Sequence, residues 1–100
     1  MVTKKFLKTK SVCQVTFQLP EGIEAEKVCL VGEFNNWDET ANPMRKVDGV
    51  WQTTLKLEQG HEYQYRFLVN GAEWHNDWNA DKYIANNVDG DNSVVSTHLN

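Results

Sequence analysis

The alternation in VCQVTFQL constrains this chain more than any other feature. Cys13, Val15, Phe17 and Leu19 are apolar, and Gln14, Thr16 and Gln18 between them are polar. A strand meets that period of two with one face buried and one in water, and a helix does not. The pattern recurs. VWQTTLKL sets Trp51, Thr53, Leu55 and Leu57 on one side, and HEYQYRFLV sets Tyr63, Tyr65, Phe67 and Val69 against Gln64, Arg66 and Leu68. KVCLVG is apolar on both faces and reads as a central strand; MRKV and SVVSTHL add two short ones, and the lysines of TKKFLKTK read as the solvated face of another. Turn residues separate these runs, above all Asp48-Gly49 and Asn70-Gly71, which are hairpin signals. About seven short antiparallel strands at intervals of roughly 8–12 residues, without a helical period, predict an all-β sandwich. A chain of 100 residues fits one domain, 1–100. Residues 75 to 91 are the exception, an Asn-rich and Asp-rich stretch that reads as one long loop, and long loops in small domains are often functional.

Several function classes drop out. The formal charge of −4 does not suit a protein that neutralises phosphates, so neither nucleic acid nor an anionic membrane is expected as a partner. No stretch approaches the roughly 18 apolar residues of a membrane span, and no apolar segment follows the N-terminal lysines as in a secretory signal. Cys13 and Cys29 each lie in an apolar strand pattern. Two reduced, buried thiols in a cytoplasmic protein follow from that, with a disulfide between neighbouring strands as the alternative. The initial Met points to a full-length chain. There is no Gly-x-Ser-x-Gly elbow and no phosphate-cradling glycine loop. His61, His75 and His98 share no ligand spacing with the cysteines, and NVDGDNS lacks the glutamate that completes a calcium loop. No acidic pair stands out for glycoside hydrolysis. The expectation is a non-enzyme without metal or cofactor.

The aromatic residues remain. Trp51, Tyr63 and Tyr65 fall on inward faces and read as core. Trp37, Trp74 and Trp78 lie in or beside turns among polar neighbours. For Trp74 the outcome depends on the turn before it. A two-residue Asn70-Gly71 turn pairs Phe67 with Trp74 and sends the indole inward. A three-residue connection, with Gly71 in a bulge or Ala72 as the extra residue, moves it to the face of Arg66 and Leu68. The Asn-Gly pair favours the first; the polar neighbours and the filled inward row favour the second. A flat indole suits the C–H face of a sugar ring, while Arg66, Asn92, Asn35 or Asn36 suits the hydroxyl rim.

VCLVGEFNNWDE, GVWQTTLKLEQGHEYQYRFLVNGAEW, NDW and DGDNSVV closely resemble the glycogen-binding domain of AMP-activated protein kinase β subunits and the N-terminal domains of isoamylases and branching enzymes, which form carbohydrate-binding module family 48. The resemblance covers residues 12 to 97. It implies an immunoglobulin-like sandwich of the early-set type that binds α-1,4-glucan, as in glycogen or starch, without catalysis. It implies Trp37 and Trp74 as the clamp on the glucan, Arg66 in the place of a lysine that meets hydroxyls, Val88 in the place of a leucine that presses into the glucan curve, and Asn92 as a further hydroxyl contact; Asn36 adjoins Trp37. Trp78 stands where the family usually has proline, and the turn before Trp74 carries one extra residue. The alternative is a module of the same fold that docks a glucan-metabolising enzyme or kinase-like partner without holding sugar.

Overall fold

The computed structural model describes residues 2–7, 11–86 and 90–98. These form nine strands: β1 (Val2–Phe6), β2 (Val12–Gln18), β3 (Val28–Gly32), β4 (Arg45–Val47), β5 (Val50–Glu58), β6 (Glu62–Val69), β7 (Glu73–His75), β8 (Lys82–Asn86) and β9 (Gly90–Ser96). One sheet has the order β1-β2-β5-β4 and the other β3-β6-β9-β8, with β7 also pairing β6. Every pairing is antiparallel, and the sheets face each other as an immunoglobulin-like sandwich.

The alternation read from the sequence sets the core. Cys13, Val15, Phe17 and Leu19 from the first sheet are buried, and they meet Leu30, Tyr65, Phe67, Val69 and Val95 from the second. The Phe17 and Tyr65 rings meet edge to face, with centroids 5.0 Å apart, the arrangement that ring quadrupoles favour. Trp51, Leu55 and Tyr63 are half-buried against this cluster, on the expected face. Among the described residues, every buried side-chain nitrogen and oxygen has a hydrogen-bond partner.

Three expectations are revised. KVCLVG is an edge strand, because β3 pairs only β6 within its sheet. The segment after it folds back over its free edge: Leu30 N–H donates to Asn42 O at 2.9 Å and Met44 N–H to Val28 O at 2.7 Å. This cover substitutes for a neighbouring strand and explains the burial of Val28, Leu30 and Val31. Residues 75 to 91 are not one long loop, since they contain β8 and a fully buried Asp77. Together β7 and β8 raise the strand count from about seven to nine. The reading of two reduced thiols holds, since Cys13 and Cys29 lie on different sheets and are free, with Cys13 buried and Cys29 only partly so.

Lys4 shares the inward face of β1 with Val2 and Phe6, opposite Val15. At the open side of the sandwich it meets Asp81, Nζ to Oδ2 2.6 Å, and the same carboxylate oxygen accepts the Ser96 N–H at 2.7 Å. An inward charge on an edge strand discourages further strand addition.

Candidate functional site

The site is built along the outward row of β6: Gln64, Arg66 and Leu68. Arg66 faces Val31 on one side. On the other, β6 pairs β9 through Tyr65 and then β7 from Phe67 onward. Asn92 of β9 comes beside Arg66, whose Nε donates to Asn92 Oδ1 at 2.6 Å. Asn92 Nδ2 donates to Gln64 Oε1 at 3.0 Å, and Asn86 Nδ2 donates to Asn92 Oδ1 at 3.2 Å. Asn92 is 8% exposed and lies within a strand; it is not a turn residue. Its amide joins and orients the guanidinium and the Gln64 amide, fixing a row of donors and acceptors on one face of the sheet. Gln64 and Asn86 escaped the sequence reading. The signal for Gln64 was its place two residues before Arg66 on the polar side of the alternation.

Trp74 joins the same face. Asn70 and Gly71 have φ of 55° and 71°, both left-handed as a tight Asn-Gly turn requires, and Ala72 N–H donates to Val69 O at 3.1 Å. Yet Val69 pairs with Glu73 and Leu68 with Trp74. The second alternative holds and the first does not: the tight Asn-Gly turn forms, but Ala72 is the extra residue that moves Trp74 away from Phe67 to the Leu68 and Arg66 side. The indole is 41% exposed. Strand geometry puts it one pleat, about 7 Å, along β6 from the Arg66 row.

Trp37 is 39% exposed. It follows a 3₁₀ turn, Glu33–Asn35, at the end of β3. Within GEFNNW the division of labour is clear. Phe34 turns inward onto Phe17, Tyr63 and Tyr65, while Trp37 stays in water. Asn35 is committed to the framework: it accepts from Gly32 N–H at 3.1 Å and donates to Leu30 O at 3.0 Å and Asn42 Oδ1 at 2.7 Å. Asn36 is exposed and closes the turn with φ of 57°. The turn is tied to the start of the polar row, because Gln64 N–H donates to Glu33 Oε1 at 2.7 Å. After Trp37, the Thr40 N–H and hydroxyl both donate to Asp38 Oδ1, at 2.8 and 2.9 Å, which holds the Asp38 carboxyl below its ordinary pKa. Val88 lies outside the described residues.

Trp78 is set apart, on the loop between β7 and β8, where it borders a cleft with Leu19, Pro20 and Val50 of the other sheet's end. Among the described residues no three His, Cys, Asp or Glu side chains gather to hold a metal ion, and no helix is long and apolar enough to cross a membrane.

Comparison with known proteins adds a family match. The model of Carbohydrate-binding module 48 (Isoamylase N-terminal domain) matches residues 23–84. The 1,4-alpha-glucan branching enzyme GlgB of Synechococcus sp. is 35% identical over 79 residues, which is 76% of this chain and 10% of that enzyme. The corresponding enzyme of Lactobacillus acidophilus is 41% identical over 49 residues, 49% of this chain and 8% of the enzyme. The 1,4-alpha-glucan-branching enzyme of Aspergillus oryzae is 50% identical over 42 residues, 41% of this chain and 6% of the enzyme. The chain thus spans a tenth or less of the length of these relatives.

Proposed function

The chain belongs to carbohydrate-binding module family 48, and from that premise we propose that it is a single non-catalytic module, residues 1–100, that binds α-1,4-glucan. The observation that carries the reading is the exposed Trp74 beside the Arg66–Asn92–Gln64 row. An indole covers the C–H face of a glucose unit, and the row meets its hydroxyls. Trp37, on a turn tied to the Gln64 end, is the second platform, with Asn36 beside it. Val88, outside the described residues, is a further contact only as the family resemblance implies. Two platforms that each remove about 40–50 Å² of apolar surface from water contribute about 1 kcal/mol apiece. With a few hydrogen bonds, and less the cost of ordering the chain, the affinity for one oligosaccharide falls in the micromolar to millimolar range. The names of the relatives support α-1,4-glucan as the ligand and a glucan-metabolising enzyme as the protein partner. A cytoplasmic setting agrees with two free thiols.

Tryptophan fluorescence titrated with maltoheptaose, alongside glycogen gel retardation, tests the reading. A saturable change is expected. Trp37→Ala and Trp74→Ala, each still folded by circular dichroism, should each weaken binding about fivefold or more. No response to any α-glucan overturns the reading and leaves a docking module of the same fold.

A further inference from the structure

The third turn tryptophan is not part of the row on β6. Trp78 is 61% exposed, more than either Trp37 or Trp74. Its loop is nevertheless pinned on both sides. Next to it, Asp77 is fully buried. The Asp77 carboxylate accepts the Tyr65 hydroxyl at 2.8 Å and the Asn79 N–H at 3.0 Å, and its own N–H donates to Ser93 Oγ at 2.8 Å. Tyr83 donates its hydroxyl to the Asp77 carbonyl. A loop held this firmly fixes where the Trp78 backbone stands, so little of the loop itself remains to be ordered on binding.

What the indole faces has a definite chemistry. A cleft of about 310 Å³ opens beside it, with Leu19, Pro20 and Val50 as an apolar floor and Gln18, Glu21 and Asn79 at the rim. A second hollow of about 220 Å³ shares Leu19, Pro20, Glu21 and Val50 and continues to Trp51. Two successive hollows therefore each carry an indole, the half-buried Trp51 in the second, with the Glu21 carboxylate shared between them and the Gln18 and Asn79 amides on the Trp78 side. Among the described residues no cationic side chain lines either one, so the described lining does not favour an anionic ligand. A volume near 300 Å³ is at the small end for ligand sites, suited to one or two rings and too small for a folded domain. Flat, uncharged, apolar on one face and hydroxylated at the edge describes a hexopyranose.

We propose that the Trp78 cleft is a second saccharide site, separate from the Trp74 face, that takes two linked hexopyranose units of an uncharged glycan, one on Trp78 and the next toward Trp51. The proposal rests on the function proposed above only for the choice of an α-glucan as probe. The experiment follows the four indole N–H signals in a ¹H–¹⁵N spectrum of the intact protein during titration with maltotriose. The Trp78 signal, assigned by its loss in Trp78→Phe, should move saturably. It should still move in the Trp37→Ala/Trp74→Ala double variant, and the Trp51 signal should move with it. Trp78→Ala should abolish the Trp51 response and leave the Trp37 and Trp74 signals responding. Movement of the Trp37 and Trp74 signals alone overturns the second site while preserving the first. No movement of any indole overturns both.

Discussion

Trp37 has φ of 58° and Asn36 before it 57°. For a bulky side chain the left-handed region costs about 1–2 kcal/mol. Trp37 N–H stays there by donating to Gly32 O at 2.8 Å. Gly32 itself is extended, and its need for glycine is steric: a Cβ would lie 2.5 Å from Gln64 O and 2.9 Å from the Phe34 ring. The chain thus spends backbone strain to keep one aromatic outside while its neighbour enters the core, a combination that points to use of the outer one. Inside, Tyr65 makes a prediction about pH. Burial first, and then the Asp77 carboxylate, push its hydroxyl far above the ordinary pKa of 10.0. Below pH 10 both folded and unfolded chains keep this proton, so stability does not depend on it. Above that, the unfolded chain releases the proton and the folded chain retains it, and stability falls by up to about 1.4 kcal/mol per pH unit. Thermal melts between pH 9 and roughly 11.5 should show that decline. Tyr65→Phe should flatten the slope, leaving a remainder from Tyr63, which is raised by its own burial and then by Glu58, and from the Cys13 thiol, which burial also raises. The same variant should lose about 1–3 kcal/mol at neutral pH, because it removes a partner from a buried carboxylate. An equal slope in both proteins refutes the assignment.

Among the elements, the β6–β7 hairpin matters most for the site. One residue, Ala72, decides which side of the sheet receives Trp74. Deleting Ala72 restores a two-residue connection and directs the indole toward a row already filled by Tyr65, Phe67 and Val69. Overpacking of this kind costs about 1–3 kcal/mol. The deletion variant should therefore melt lower, and its glucan response should fall as far as that of Trp74→Ala; a stable variant with full binding would refute the register argument. The sequence declared the strands well, because alternation along β2, β5 and β6 is a local signal that burial enforces. The inward and outward rows of β6 were legible for the same reason. The turn was legible as chemistry yet not as register, since Asn70-Gly71 specifies φ at two positions and says nothing of a bulge after them. β8 was hidden because its short run, KYIAN, sits on a half-solvated edge among Asn and Asp residues that mask alternation. Asn92 was legible only as a residue suited to hydroxyls, since its setting beside Arg66 depends on β9 pairing β6, a contact distant in sequence.

At the scale of the whole molecule, the sandwich is compact, with a radius of gyration of 13.1 Å, near the ~13 Å usual for its length. Its two sheets divide the surface: the Arg66 row lies on the outer face of one, and the Trp78 cleft meets strand ends of the other, Gln18 of β2 and Val50 of β5. The Lys4–Asp81 pair fastens β1 across the open side between them. Beside that strand, on β2 of the same sheet, lies Cys13, paired with Phe6 and fully buried, its thiol pKa raised mainly by burial. The arrangement gives the protein an internal stopwatch for fraying: a maleimide can reach the Cys13 sulfur only while β1 has lifted away. Releasing the clasp with Lys4→Ala, a loss of about 1 kcal/mol, should speed alkylation of Cys13 roughly fivefold and leave Cys29, on the other sheet, at its original rate. Mass spectrometry of the labelled peptides would read both sulfurs in one sample, and unchanged Cys13 kinetics would mean that the first strand opens without regard to its charge pair.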